Sequence, residues 1–95
     1  MYTIYVVFKC VQGKRYEYIE RLKAEGIVDA VRREDGCIRY DYYFTEGDPD
    51  EILLIEAWEI KKHQEIHIEQ PHMARLRELK PDFVLSTRLG EFELK

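Results

Sequence analysis

Imidazole side chains are concentrated in one short stretch of this sequence. The chain has three histidines, His63, His67 and His72, and they follow its single tryptophan, Trp58. Histidine has an unperturbed pKa of about 6.5, so it takes up or releases a proton near neutral pH. A histidine cluster beside a large aromatic residue therefore indicates a site for acid–base chemistry. The alternative is a helix that carries its imidazoles on the solvent side.

A metal site is a second interpretation of the same residues. His63 and His67 are four residues apart, so both would point to one side of a helix. The H-E-x-x-H zinc motif needs a glutamate directly after the first histidine, but this chain has Gln64 there and Glu65 one position later. A third ligand would have to be His72 or a glutamate. The sequence predicts no metal site and favours an exposed His63.

Other catalytic motifs are missing from the sequence. There is no G-x-S-x-G element, no P-loop and no G-x-G-x-x-G fingerprint, which argues against triad hydrolases, nucleotide-binding enzymes and flavin enzymes. Cys10 and Cys37 lie in predicted strands, away from a helix N-terminus that would lower a thiol pKa. What remains is acid–base catalysis by His67 in an aromatic pocket, to which Tyr40 and Tyr42 could contribute. An aromatic core with one satisfied histidine is the alternative.

Composition and charge limit the possible partners. The net charge is −4 and the basic residues are interspersed with acids, which argues against nucleic-acid binding. No stretch approaches the roughly 20 apolar residues of a membrane helix, and the first residues do not resemble a signal peptide. The two cysteines belong to no C-x-x-C pair. We therefore expect a cytoplasmic protein with reduced thiols.

The elements that must position these residues follow the order β-α-β-β-α-β in a single domain, residues 1–95. The predicted strands are 2–10, 37–45, 51–58 and 82–89, and the predicted helices are 14–35, 61–68 and 71–79. Gly26 weakens the middle of the first helix by about 1 kcal/mol relative to alanine and could mark a kink or a close contact. Gly36 fits the left-handed residue that ends the helix. Alternation places Ile38 and Tyr40 on one face of the second strand.

This order is that of the ferredoxin-like α+β fold, which predicts a four-stranded antiparallel sheet with helices on one face. The first and third strands are apolar on both faces, as in strands that are covered on both sides. Hydrophobic residues make up 45% of the chain, which is a large share for so small a core. We therefore expect the second sheet face to pack against another copy, giving a homodimer.

Several short motifs follow one another along the chain. They are Glu34-Asp35-Gly36-Cys37 before a tyrosine-rich strand, Ile55-Glu56-x-Trp58-Glu59, and His67 followed by Pro71-His72-Met73. Together, in this order and spacing, they resemble the antibiotic biosynthesis monooxygenase family and especially its quinol monooxygenase-like branch. The resemblance extends from the first strand to the last.

The resemblance implies a dimeric α+β barrel with one pocket per subunit between sheet and helices. It also implies oxidation of quinols and similar electron-rich aromatics by molecular oxygen, without metal, flavin or other cofactor. Such substrates form stabilised anions that can reduce oxygen, so the protein needs a base, a dry pocket and correct orientation. On this resemblance His67 is the catalytic residue. The expected substrate-binding residues are Trp58, His72, Tyr40, Tyr42 and Glu56.

The chain departs from the family in one respect, and two other functions stay open. It contains no asparagine, whereas haem-degrading members and some anthrone oxygenases are understood to use one, so haem degradation is disfavoured. The family also includes isomerases of phosphorylated sugars, which would need a basic anchor such as Arg39 or Arg75 in the pocket. A pocket without a well-placed base would instead favour a non-catalytic, small-ligand-binding stress protein.

Overall fold

A four-stranded antiparallel sheet forms one layer of the computed structural model, which describes residues 1–93. The strands are β1 (Tyr2–Cys10), β2 (Cys37–Phe44), β3 (Glu51–Trp58) and β4 (Val84–Glu91). The helices are α1 (Arg15–Ala24), α2 (Ile27–Arg32), α3 (Lys61–Ile68) and α4 (Pro71–Leu79), and Lys80–Asp82 adds a 3-10 turn. The strand order β2-β3-β1-β4 confirms the predicted ferredoxin-like α+β fold.

The central strand β1 sets the register of the sheet. It pairs with β3, where Ile4 lies opposite Glu56, and with β4, where Phe8 lies opposite Thr87. The even-numbered side chains of β1 face the helices, and Ile4, Val6 and Phe8 are buried there. Among the described residues, no helix has the length and apolar character needed to cross a bilayer.

The helical segment before β2 differs from its prediction, because the single helix expected over 14–35 is two helices. Gly26 has φ +73°, a left-handed conformation that interrupts the i→i−4 hydrogen bonding between α1 and α2. Leu22 and Val31, on either side of the break, are both fully buried. The apolar spacing therefore continues through the break, which is why periodicity alone did not reveal it. Gly36 has the predicted left-handed conformation, with φ +78°, but it does not end the helix. Helix α2 ends at Arg32 with Arg33 as its C-cap, and Gly36 lies in the turn before β2.

The start of β2 also departs from simple alternation. Cys37 pairs with Trp58 and Arg39 pairs with the adjacent Ala57, so Ile38 is the additional residue of a β-bulge. Ile38 is consequently 55% exposed, whereas Tyr40 is buried. The prediction of unbroken alternation along this strand is wrong at its start, because the bulge shifts the alternation by one residue between Cys37 and Arg39.

The sheet face away from the helices is apolar and only half-covered. The cross-strand pairs Tyr5–Ile55 and Val7–Leu53 of β1 and β3 lie on this face. Tyr5 is 38% exposed, and the other three side chains are half-buried. An apolar sheet surface of this kind is typical of a protein–protein contact.

The two cysteines are free thiols, on β1 and on the non-adjacent strand β2. Cys10 is buried and Cys37 is half-buried, and burial raises the pKa of both thiols. Both side chains are therefore protonated and poorly nucleophilic at neutral pH, as the sequence predicted.

Candidate active site

A cavity of about 430 Å³ lies between the helix-facing side of the sheet and helices α3 and α4. Its apolar lining includes Ile4, Val6 and Phe8 of β1, Leu54 of β3, and Met73 and Leu76 of α4. The volume lies within the range of about 300–1,000 Å³ that is usual for small-molecule sites. One part of the wall carries polar groups that can transfer protons.

His67 is the central residue of this polar wall. It lies in α3 and is 2% exposed. Its Nδ1 is 2.7 Å from Oε2 of Glu34, and its Nε2 is 3.9 Å from Oε1 of Glu56. Because Nδ1 faces a carboxylate, this nitrogen carries the proton in the neutral ring. Nε2 then keeps its lone pair on the side of Glu56, and both residues line the cavity.

Glu34 is a site residue that the sequence analysis assigned no role. It lies in the turn between α2 and β2, and its Oε2 also accepts a hydrogen bond from Nε2 of His72 at 2.8 Å. The side chain of His72 is 20% exposed, whereas that of His67 is 3% exposed. One carboxylate oxygen thus connects a buried imidazole to one that reaches solvent. The motif contained Glu34, but only the fold shows that its turn lies beside α3 and α4.

Glu56 is a buried carboxylate of β3, 5% exposed. Trp58 donates a hydrogen bond from Nε1 to Oε1 of Glu56 at 3.1 Å. Burial raises the pKa of Glu56, and the hydrogen bond from Trp58 and the nearby His67 partly oppose this shift. The Trp58 ring also lies against the His67 ring, with centroids 4.8 Å apart. Trp58 therefore contacts both acid–base groups.

Two tyrosines of β2 complete the polar wall. The hydroxyls of Tyr40 and Tyr42 are 3.3 Å apart, and the Tyr40 ring meets His67 edge to face at 5.8 Å. Burial raises the pKa of both phenols. Both hydroxyls therefore keep their protons at neutral pH. One donates to the other, which leaves the pair one proton to donate to an oxygen atom in the cavity.

The structure divides the predicted site residues into two groups. His67, Tyr40, Tyr42 and Glu56 line the cavity. Trp58 and His72 are not among the described residues that line it, because Trp58 is completely buried against Glu56 and His67 and His72 binds Glu34. The last two side chains are placed to orient the acid–base groups rather than to contact a ligand in the cavity.

His63 is not on the solvent side of its helix, so that expectation is wrong. A Cβ atom built on Gly36 would lie 2.2 Å from Nδ1 of His63, which shows how closely the ring packs on the glycine. Nδ1 of His63 is buried and has no hydrogen-bond partner among the described residues. The reason is the left-handed turn at Gly36, which brings the backbone before β2 under α3.

A different set of residues forms the group with metal-ligand chemistry. Glu34, His67 and His72 each offer one ligand atom, and these atoms lie within 4.8 Å of one another. The distances from the Glu34 oxygen to the two nitrogens, 2.7 and 2.8 Å, are those of hydrogen bonds. Hydrogen bonds can therefore hold the three side chains together, and the same three atoms have the chemistry to ligate an ion.

The basic residues at the cavity are not the predicted ones. Arg39 pairs with Asp41 at 3.0 Å and Arg75 pairs with Glu25 at 2.6 Å, and neither is among the described lining residues. Arg77 and Lys80 line the cavity instead. Their spacing of three residues along the end of α4 puts them on one side of the helix, a signal that the sequence analysis did not use.

Comparison with known proteins gives a consistent result. The family model "Antibiotic biosynthesis monooxygenase" matches residues 1–79. The chain is 30% identical over 81 residues to "Probable quinol monooxygenase YgiN" of Escherichia coli K12, covering 77% of this chain and 78% of that protein. A crystal structure of an antibiotic biosynthesis monooxygenase has a TM-score of 0.84 at 21% identity, covering 100% of this chain and 99% of that one. PA3566 from Pseudomonas aeruginosa has a TM-score of 0.84 at 20% identity, covering 99% and 93%.

Proposed function

This chain belongs to the antibiotic biosynthesis monooxygenase family, and we propose that it oxidises a quinol-like or polyphenolic molecule with molecular oxygen, without a cofactor. The observation that carries the proposal is the Glu34–His67 pair at the wall of a mainly apolar cavity. A buried imidazole with one nitrogen held by a carboxylate is suited to act as a general base at the other nitrogen.

The reaction begins with removal of a proton from a substrate hydroxyl by Nε2 of His67. Glu34 then faces the imidazolium that forms and stabilises its charge through the Nδ1–H hydrogen bond. His72, on the same carboxylate oxygen, links the buried base to solvent. The hydrogen-bonded pair of Tyr40 and Tyr42 donates one hydrogen bond to a substrate oxygen and favours the anionic form.

The substrate anion supplies the electrons for the oxidation. One atom of molecular oxygen enters the substrate and the other leaves as water, so no external reductant is needed. The apolar lining keeps bulk water away from the anion. We also propose that the protein is a homodimer, because the open sheet face offers an apolar surface for a second copy. The proposed location is the cytoplasm.

Oxygen uptake with a panel of reduced quinones tests the proposal. His67→Ala is expected to lower turnover by about 10²–10⁴-fold, the usual contribution of a positioned acid–base group. Glu34→Gln should also lower turnover, because the neutral amide cannot stabilise the imidazolium. Glu65→Ala, at an exposed position of α3, is the matched control. Full turnover in His67→Ala would refute the role of His67 as the base.

A second candidate function is isomerisation of a small phosphorylated carbonyl compound by the same histidine. The observation that favours it is the presence of Arg77 and Lys80 at the cavity. Isomerisation consumes no oxygen, so turnover of such a compound under anaerobic conditions, lost in His67→Ala, would select this function over the first.

A further inference from the structure

The cavity has a second polar end, formed by Lys80, Arg77 and Thr87. Nζ of Lys80 lies 5.2 Å from the centre of the Phe8 ring, and Thr87 is the partner of Phe8 on β4. His67 and Glu56 lie at the other end of β1, because Glu56 is the partner of Ile4. Ile4 and Phe8 are four positions apart along the strand, which corresponds to about 13 Å.

The basic residues at this end are not neutralised by any carboxylate of residues 1–93. Neither Arg77 nor Lys80 makes an ion pair among the described residues, although Arg75 on the same helix binds both Glu25 and Glu78. Arg77 donates one hydrogen bond, to the backbone oxygen of Ile68 at 3.1 Å. Two cations without a carboxylate partner in residues 1–93 therefore line one cavity, Lys80 half-buried and Arg77 exposed at its edge.

Lys80 is also partly removed from water. Its side chain is half-buried, and burial lowers the pKa of its ammonium group with no carboxylate contributing to the shift. A lysine near the end of a helix usually binds the terminal carbonyls or faces solvent. Lys80 instead extends over Phe8 at the cavity, so its unfavourable desolvation would be offset by a bound anion.

We propose that Lys80, Arg77 and Thr87 bind an anionic group at the far end of the substrate, and that the substrate is an aromatic acid rather than a neutral quinol. This inference rests on the proposed function for the chemistry at the His67 end. Val6, Leu54 and Leu76 line the same cavity with apolar side chains, which suits an aromatic body between the two ends. A carboxylate and a phosphate ester both have the required negative charge. We choose the carboxylate because the proposed substrate is aromatic.

Binding of unreactive, oxidised ligands tests the inference without turnover. The probes are anthraquinone-2-carboxylate and anthraquinone-2-carboxamide, which have the same shape and differ in charge. Calorimetry at low salt is expected to show at least tenfold tighter binding of the carboxylate. A hydrogen bond to a charged group typically contributes enough binding free energy to change affinity by this factor. The preference should decrease as salt is added.

Lys80→Met keeps an apolar side chain over Phe8 and removes the charge. It is expected to weaken binding of the carboxylate about tenfold and to leave binding of the carboxamide unchanged. Lys62→Met, an exposed position of α3 that pairs with Glu65, makes the same change of net charge away from the cavity lining and should alter neither affinity.

Dihydroxyacetone phosphate distinguishes the two sources of negative charge. Binding of this compound that depends on Lys80, without binding of the anthraquinone acid, would overturn the aromatic acid and support a phosphorylated substrate. Equal affinity for the two anthraquinones, or an unaffected Lys80→Met variant, would overturn the anion-binding end itself. These measurements record binding without turnover and do not depend on His67. A failure of the proposed oxidation would therefore not change the result for the anion-binding end.

Discussion

The proton held between Glu34 and His67 determines what each ring nitrogen can do. With Nδ1 bound to the carboxylate, Nε2 is the nitrogen that is free on the cavity side. The same carboxylate oxygen binds His72, so three titratable groups share one hydrogen-bonded cluster. The cluster can be read either as a proton path or as a set of metal ligands, and an experiment separates the two.

Removal of divalent ions should leave the activity unchanged. Dialysis against a chelator is expected to preserve oxygen uptake, because the cluster distances are those of hydrogen bonds and protons satisfy the groups. Elemental analysis of the purified protein provides the second measurement. Stoichiometric zinc or copper, together with lost activity after dialysis, would contradict the prediction and identify Glu34, His67 and His72 as ligands.

The buried carboxyl of Glu56 should make stability depend on pH in a defined direction. Its pKa is raised by burial in the folded protein, so its contribution to stability is present below the unfolded pKa of about 4.3 and is lost as pH rises through the folded value. Glu56→Gln has no charge to desolvate and keeps an oxygen acceptor for Trp58. The melting temperature of the variant minus that of the wild type should therefore increase from pH 4 to pH 8.

Thermal unfolding across this pH range measures the difference. Glu65→Gln, at an exposed position, should show no such trend. A difference between Glu56→Gln and wild type that stays constant from pH 4 to pH 8 would show that ionisation of Glu56 is not the cause.

At the residue scale, the sequence indicated site residues whose chemical type is distinctive. It gave no role to residues whose importance depends on which side chains lie next to them in the fold. His67 was singled out because the chain has only three imidazoles, and Tyr40 and Tyr42 because alternation along a strand places both on one face. Lys80 and Glu34 were given no role, because basic and acidic residues are abundant in the chain. Only the fold shows which of them turn toward the cavity or the buried imidazole.

At the level of elements, two glycines with the same backbone conformation have different surroundings. Gly26 and Gly36 have φ +73° and +78°, but a Cβ at Gly26 would meet open space, whereas one at Gly36 would meet His63. Gly26→Ala is expected to cost about 1–2 kcal/mol, the usual penalty of the left-handed conformation. Gly36→Ala should cost more, because the ring of His63 must also move.

Urea unfolding of the single and double variants separates the two contributions. In Gly36→Ala combined with His63→Ala, the clash is absent and the additional cost should be recovered, giving a favourable coupling energy. Equal destabilisation by Gly26→Ala and Gly36→Ala would show that the contact with His63 has no energetic effect.

The element order was predictable from the sequence, whereas the irregularities within elements were not. Hydrophobic periodicity identified all four strands and both halves of the first helical segment. It did not detect the break at Gly26 or the bulge at Ile38, because each changes the direction of the chain and leaves the apolar pattern nearly continuous. Register irregularities depend on pairing with β3, which a local pattern does not contain.

At the level of the whole molecule, the apolar sheet face predicts a homodimer. An obligate dimer on this face should bury more than about 2,000 Å² in total. Light scattering at micromolar concentration is expected to give twice the mass of the chain. Leu53→Glu places a charge in the centre of the face and should shift the mass toward the monomer and lower the melting temperature.

Ile60→Glu supplies the matched control, since Ile60 is 56% exposed and lies outside the sheet. It should leave the mass unchanged. A monomeric mass for the wild-type chain would contradict the dimer, and dimers that persist in Leu53→Glu would place the interface on another surface.

The strand order has a consequence for synthesis of the chain on the ribosome. β1 is translated first, but both of its partners, β3 and β4, come later in the sequence. At the usual rate of about 5–20 residues per second, roughly 4–15 s separate the end of β1 from the start of β4. During this interval the apolar residues of β1 lack one or both neighbouring strands. Folding therefore depends on contacts distant in sequence, which favours slow folding and gives chaperones time to bind β1.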